Sequence, residues 1–343
     1  MLRFRKGRPI TMLGFFVRRI MVMIPTLLAI SAITFVIIQL PPGDYLTTLV
    51  TELESRGEAI DQSRLQFLRE TYGLDKPMIE QYFVWLGGML TGDYGYSFEY
   101  NRPVADVVGD RMLLTIVVSF ATIIFIWVVS FPIGIYSATH QYSLGDYGLT
   151  FLGFLGLATP NFLLALVLLY FANVMFGTSI GGLMDPVYMD APWSWGKMVS
   201  VLEHLWIPVI VIGTSGTAGM IRRLRANLLD ELHKQYVVTA RAKGLSPARV
   251  LWKYPLRMAI NPFISDIGNL LPQIVSGAAV VSIVLSLPTT GPMLLDALRS
   301  QDMYLAGSFL MFLALLTVVG VFLSDVALAM LDPRIRLEGG ANR

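Results

Sequence analysis

The 343-residue chain has no cysteine, three scattered histidines (His140, His204, His233) and little charge, with Asp, Glu, Lys and Arg making up 15% of it. Without cysteine there is neither a disulfide frame nor a thiolate metal site. Three dispersed histidines do not suggest an imidazole metal cluster. No G-x-x-x-x-G-K-[ST] occurs, so the chain cannot cradle ATP phosphates by itself. A soluble domain carries about 25% charge, so the missing charge needs another solvent to explain it. Hydrophobic residues make up 55% of the chain, and its mean hydropathy is +0.62. Apolar runs at 20–40, 113–138, 149–176, 199–220, 264–287 and 305–330 contain no Lys or Arg. Each reaches the roughly 20 residues needed to cross a bilayer. The sequence predicts an all-α, multi-pass membrane protein with six transmembrane helices.

Charge sets the expected orientation. The N-terminal tail 1–19 has six Lys and Arg, the loop 221–263 has nine and the tail 331–343 has three. The opposite side has six in the loop 41–112, plus Lys197 and Arg299. The positive-inside rule therefore places both termini and the 221–263 loop in the cytoplasm. The first span, 20–40, resembles a signal peptide in its basic start. It is too long for an h-region and ends in Pro41-Pro42-Gly43-Asp44, so it is read as an uncleaved span. The expected organisation is a basic tail (1–19), a first span (20–40), a large periplasmic loop (41–112), a core (113–330) and a C-terminal tail (331–343).

Inside the outer loop, Met78, Tyr82, Trp85, Leu86 and Met89 recur at helical spacing after the Lys76-Pro77 start signal. They predict an aromatic-rich helix lying at the membrane interface, or a docking surface for an external partner. The third run is broken by Thr159-Pro160-Asn161, a kink whose freed carbonyl needs another partner. The fourth carries Gly213, Gly216, Thr217 and Gly219, small residues that permit close helix contact. In the fifth run, Asp266, Asn269, Gln273 and Ser276 fall on one helical face. Such a stripe faces a neighbouring helix or a wet path, and Asn269, Gln273 and Ser276 are the candidate lining of a path.

The 221–263 loop reads as two helices. The first, at about 227–243, stops at Gly244, a natural C′ residue. Ser246 then caps a second helix with Pro247 in its first position. Small Ala240 and Ala242 would let another surface approach the corner, with Arg241 and Lys243 at the rim. A docking surface for another protein and a basic segment resting on anionic head groups account for this loop equally well on its residues alone.

The segment Thr239-Ala-Arg-Ala-Lys-Gly-Leu245 resembles the cytoplasmic loop of ABC-importer permeases of the dipeptide/oligopeptide, binding-protein-dependent group. Other pieces of that resemblance follow in order: Pro42-Gly43-Asp44; Tyr72-Gly-Leu-Asp-Lys-Pro77; Trp85-Leu-Gly-Gly88; Gly92-Asp-Tyr-Gly-Tyr-Ser97; Thr159-Pro-Asn-Phe162; Asp296-Ala-Leu298 with Asp302; and Asp332-Pro-Arg334. It spans about 15–336. Two positions depart from the wider pattern. Val238-Thr239-Ala240 stands where a Glu-Ala-Ala is general, and Pro288-Thr-Thr-Gly291 stands for Pro-Gly-Leu-Gly.

The resemblance implies a type-I ABC importer permease fold in the bacterial plasma (inner) membrane, and half of a translocation path for di- or oligopeptides. Oligosaccharides, opines or a metal chelate are alternative cargoes. It implies that Ala240, Arg241, Ala242, Lys243, Gly244 and Leu245 couple to an ATPase. The implied partners are a second homologous permease, two ATP-binding cassette ATPase subunits, a periplasmic or lipid-anchored solute-binding protein and membrane lipid. Nucleic acid is not among them. No cofactor is expected on this chain, since ATP and Mg would sit on the partner subunits.

Two other classes compete on the residues. Gly213-Thr-Ser215-Gly216 is similar to the Gly-x-Ser-Gly of rhomboid intramembrane proteases. A serine nucleophile needs a base in reach, and His204 lies eleven residues away, about 16 Å along a helix. An ion-driven secondary transporter usually buries ionisable groups at mid-membrane. Here Glu203, Asp266 and Asp325 lie near span ends.

Overall fold

The computed structural model describes residues 12–40, 46, 47, 50, 63, 66, 70, 75–176, 181–189 and 191–331. The side chains at 12, 13, 15, 176, 265, 267–269, 271–274, 276 and 327–331 lie outside that description. The described helices are α1 (Met12–Gln39), α2 (Met78–Thr91), α3 (Val104–Thr139), α4 (Leu144–Ala158), α5 (Asn161–Phe176) and α6 (Trp195–Leu232). They continue with α7 (Gln235–Ala242), α8 (Pro247–Lys253), α9 (Pro255–Gly277), α10 (Ala279–Val284), α11 (Thr290–Arg299) and α12 (Met303–Leu331). A two-stranded antiparallel hairpin, β1 (Tyr96–Ser97) and β2 (Arg102–Pro103), precedes α3.

Among the described residues four helical stretches are long and apolar enough to cross a membrane: Phe16–Gln39, Val104–Thr139, Trp195–Leu232 and Met303–Val326. Helices α4 and α5 make a fifth if taken as one span, bent by 99°. The break has a local cause. A residue before proline is pushed out of the helical region, and Thr159 sits extended at φ −81°, ψ 121°. The Leu155 carbonyl at the break accepts both the Thr159 N–H at 3.1 Å and its hydroxyl at 2.8 Å. The fifth expected run, 264–287, falls on α9 and α10. Asn261, Pro262, Asp266, Pro272 and Gln273 dilute the apolar character of α9.

The chain forms two compact units. The first draws on Met1–Leu114 and Thr289–Phe322. Its centre is Phe35, Trp85 and Met303, against which Tyr82, Leu86 and Met89 pack. The expected interfacial stripe of α2 is therefore mostly an internal one. Trp85 lies 5.7 Å from the Phe35 ring, and the Tyr82 hydroxyl shares a 2.8 Å hydrogen bond with Ser31. The apolar residues that α2 exposes are Ile79, Phe83, Val84 and Leu90 on the remaining surface, along with Met78. Asp302 is fully buried at the start of α12. Its carboxylate accepts the Ser97 hydroxyl at 2.7 Å, the Glu99 N–H at 3.2 Å and the Leu305 N–H at 3.1 Å. One side chain thus caps a helix and pins the hairpin loop to it. Burial holds that carboxyl above the ordinary aspartate range.

The second unit draws on Thr115–Pro288 and Leu323–Asp332, with α6 packed against α3, α4, α5 and α9. The small residues of α6 make this possible. A Cβ on Gly213 would come within 2.5 Å of the Phe125 ring, and one on Gly216 within 2.7 Å of Ile126. The Ser130 hydroxyl donates to the Thr217 carbonyl across the same seam at 3.2 Å. On another side, a Cβ on Gly156 would come within 2.6 Å of Thr214, and one on Gly153 within 3.8 Å of Ala218. Glycine at these points brings the helix axes close enough for dispersion contacts that larger side chains would forbid.

Candidate functional site

The segment expected to form a basic corner does so, with one more break than the sequence suggests. Helix α6 continues to Leu232, and the chain turns at His233 and Lys234 before α7 begins. Lys234 is extended at φ −70°, ψ 148°. No glycine or proline marks this turn. It is held by side chains: the His233 Nδ1–H donates to the Leu229 carbonyl at 2.7 Å, and the Tyr236 hydroxyl donates to the Glu231 carboxylate. Burial and the adjacent Glu231 hold the Tyr236 phenol above its ordinary pKa.

The turn from α7 to α8 is a Schellman motif. Gly244 takes φ +79°. Its N–H bonds the Arg241 carbonyl at 2.9 Å, and the Leu245 N–H bonds the Ala240 carbonyl at 3.4 Å. The hydrophobic contact that accompanies this motif is present too. Leu245 and Tyr254 pack on a small core of Val237, Ala240 and Val250, all buried. Pro247 opens α8 as expected. Ser246 occupies the N-cap position, but its side chain makes no capping hydrogen bond there.

The six sequence-predicted coupling residues separate by environment. Ala240 faces the core of the corner and is 6% exposed, so it holds the corner together and offers no approach surface. Arg241, Ala242, Lys243 and Gly244 are exposed, and Leu245 is half-buried. Arg249 and Lys253 add exposed charge on α8. Among the described residues Arg241, Lys243 and Arg249 form no ion pair, which leaves a cluster of uncompensated cations around one rigid turn. Two exposed apolar residues, Val238 and Trp252, accompany them. Trp252 belongs to none of the motifs quoted from the sequence, although a Trp in a basic loop is a usable sign of an amphipathic contact surface. The corner also borders an open cleft of about 650 Å³, whose walls include Thr139, His140, Leu229, Ala248 and Leu251.

The candidate path residues Asn269, Gln273 and Ser276 lie in α9, but their side chains fall outside the described ones. Their expected neighbour on that face, Asp266, is placed. It pairs with Arg223 of α6 at 2.7 Å, and Arg223 also sits 5.5 Å over the Phe263 ring. This end of the stripe is used for joining helices.

Known families fit this architecture. The family described as binding-protein-dependent transport system inner membrane component matches residues 130–337, and its N-terminal counterpart matches 12–119. The chain belongs to this family. It is similar to the oligopeptide transport system permease protein AppB of Bacillus subtilis, at 34% identity over 94% of this chain and 99% of that one. It is also similar to the di/tripeptide permease DppB of Pseudomonas aeruginosa and the dipeptide permease DppB of Escherichia coli K12. Each is 30% identical over 95% of this chain and 99% of its own length. Family membership makes the chain a permease component of the inner membrane and not an enzyme. The rhomboid-like Ser215 accordingly has a structural role, its hydroxyl donating to the Ile212 carbonyl at 3.3 Å.

Proposed function

We propose that this chain is one of two non-identical transmembrane subunits of an ATP-driven importer of di- and oligopeptides. The observation that carries the reading is the Schellman-locked corner around Gly244, ringed by cations that form no ion pair among the described residues. Both termini and the corner face the cytoplasm, where two separate ATPase subunits hydrolyse ATP. A solute-binding protein delivers cargo on the other side. The corner acts as a rigid lever: its own core ties α7 to α8, and α8 leads through Tyr254 directly into α9. Movement of the corner with an ATPase subunit is therefore transmitted to the polar face of α9, where Asn269, Gln273 and Ser276 line the path. The peptide relatives support the cargo class. The absence of a phosphate loop in the chain supports an external ATPase.

Because the chain lacks cysteine, a single Ala242→Cys gives a unique label site in it. In the full complex that residue should cross-link to the ATPase subunit, with an efficiency that changes between nucleotide-free and ATP-bound states. A cross-link only to lipid-borne reagents, unchanged by ATP, would assign the corner to membrane anchoring.

A further inference from the structure

Outside the corner, the second unit carries a second cavity. It lies between α4 and α6, has a volume of about 260 Å³, and changes character along its length. One end is bordered by Arg222, Arg225 and Asp146, the other by Phe154, Leu157 and Ala218. The two helices run so that Asp146 meets Arg225 while Gly153 meets Ala218. The apolar wall from Asp146 to Leu157 is then about 16 Å long.

The charged end has one more cation than it uses internally. Arg225 Nη2 binds the Asp146 carboxylate at 3.0 Å, and that carboxylate also accepts the Tyr142 N–H at 3.0 Å. Asp146 is 3% exposed, so its charge is consumed in place. Arg225 Nε is buried and has no hydrogen-bond partner among the described residues. An unmade bond of this kind in a buried site calls for an explanation. Arg222 is exposed on the same rim and forms no ion pair among the described residues. The apolar end is not closed over: Phe154 and Leu157 remain exposed.

We propose that this cavity is a binding site for one anionic phospholipid. The phosphodiester lies against the Arg222 and Arg225 guanidinium groups, and an acyl chain runs along Leu149, Phe154 and Leu157. A zwitterionic lipid offers the same chain, but its own cation opposes the arginines. A free phosphate matches the charge but leaves the apolar wall uncovered. A basic pocket between transmembrane helices with an apolar continuation is the arrangement that recognises an anionic head group.

The test uses the whole transport complex in lipid nanodiscs containing a diazirine-tailed phosphatidylglycerol, compared with the matching phosphatidylcholine. Labelling by the phosphatidylglycerol should map to residues 142–157 and 218–225 and survive an excess of inorganic phosphate. Arg222→Gln should reduce it about fivefold, the worth of one cation at an anionic surface, and Arg222→Lys should restore most of it. Unchanged ATP hydrolysis by the Arg222→Gln complex would confirm that it is assembled. Equal labelling by both lipids, insensitivity to Arg222→Gln, displacement by phosphate, or a cross-link from Leu157→Cys to another protein subunit would each overturn the proposal.

Discussion

The geometry at Gly244 makes a sharp prediction because the backbone and steric contributions separate there. Gly244 has φ +79°, and a Cβ added to it would meet nothing within 4 Å. A substitution therefore costs only what the left-handed conformation costs, about 1–2 kcal/mol for an ordinary residue and less for Asn, which tolerates αL. Gly244→Ala should loosen the two closing hydrogen bonds by that amount. Hydrogen exchange at the Leu245 amide, which bonds the Ala240 carbonyl, should speed up about five- to thirtyfold. Gly244→Asn should lie much closer to wild type. Global stability should fall by no more than that same amount in either variant, since the small core of Val237, Ala240 and Val250 is untouched. In the assembled transporter, substrate-stimulated ATP hydrolysis should fall in the same order, wild type, Asn, Ala. Equal exchange in Ala and Asn variants, or an Ala variant indistinguishable from wild type, would refute the assignment of a left-handed, closed corner.

Two further outcomes follow from buried polar groups. Removing Arg225 strands a carboxylate that is almost fully buried, so Arg225→Met should destabilise by about 3–5 kcal/mol, with Arg225→Met/Asp146→Asn recovering most of it in a denaturation series. Tyr100, whose hydroxyl donates to Asp296 at 3.1 Å, has its pKa pushed up by burial to about 12. Its folded pKa lies above the unfolded value near 10. Its contribution is therefore whole below pH 10 and is lost as pH rises through about 12, which phenolate absorbance compared with Tyr100→Phe will read.

Much of this architecture was legible in the sequence because lipid imposes simple rules. Uninterrupted apolar runs located the long helices, Thr159-Pro160 located the 99° bend, and Gly244 followed by Pro247 located the corner. Each of these signals acts through the local backbone. What escaped depends on partners distant in the chain. The stripe on α2 looked interfacial, yet Trp85 found Phe35 and Met303. Ala240 looked like an approach surface, yet it faces Val237 and Val250. The turn at His233–Lys234 has no glycine or proline and is held by side-chain bonds to Leu229 and Glu231, which propensity does not encode. Asp266 was legible as part of a polar stripe on α9, but its pairing with Arg223 is a tertiary choice.

The central claim is that the Gly244 corner transmits ATP-driven motion to the spans. Its most direct test is peptide uptake into proteoliposomes by the complete transporter carrying Arg241→Glu, Lys243→Glu and Gly244→Pro in this chain. Proline cannot adopt φ +79°, and the two reversals invert the charge of the rim. Uptake should collapse while the complex still assembles and the binding protein still takes its peptide. Uptake at the wild-type rate would contradict the account.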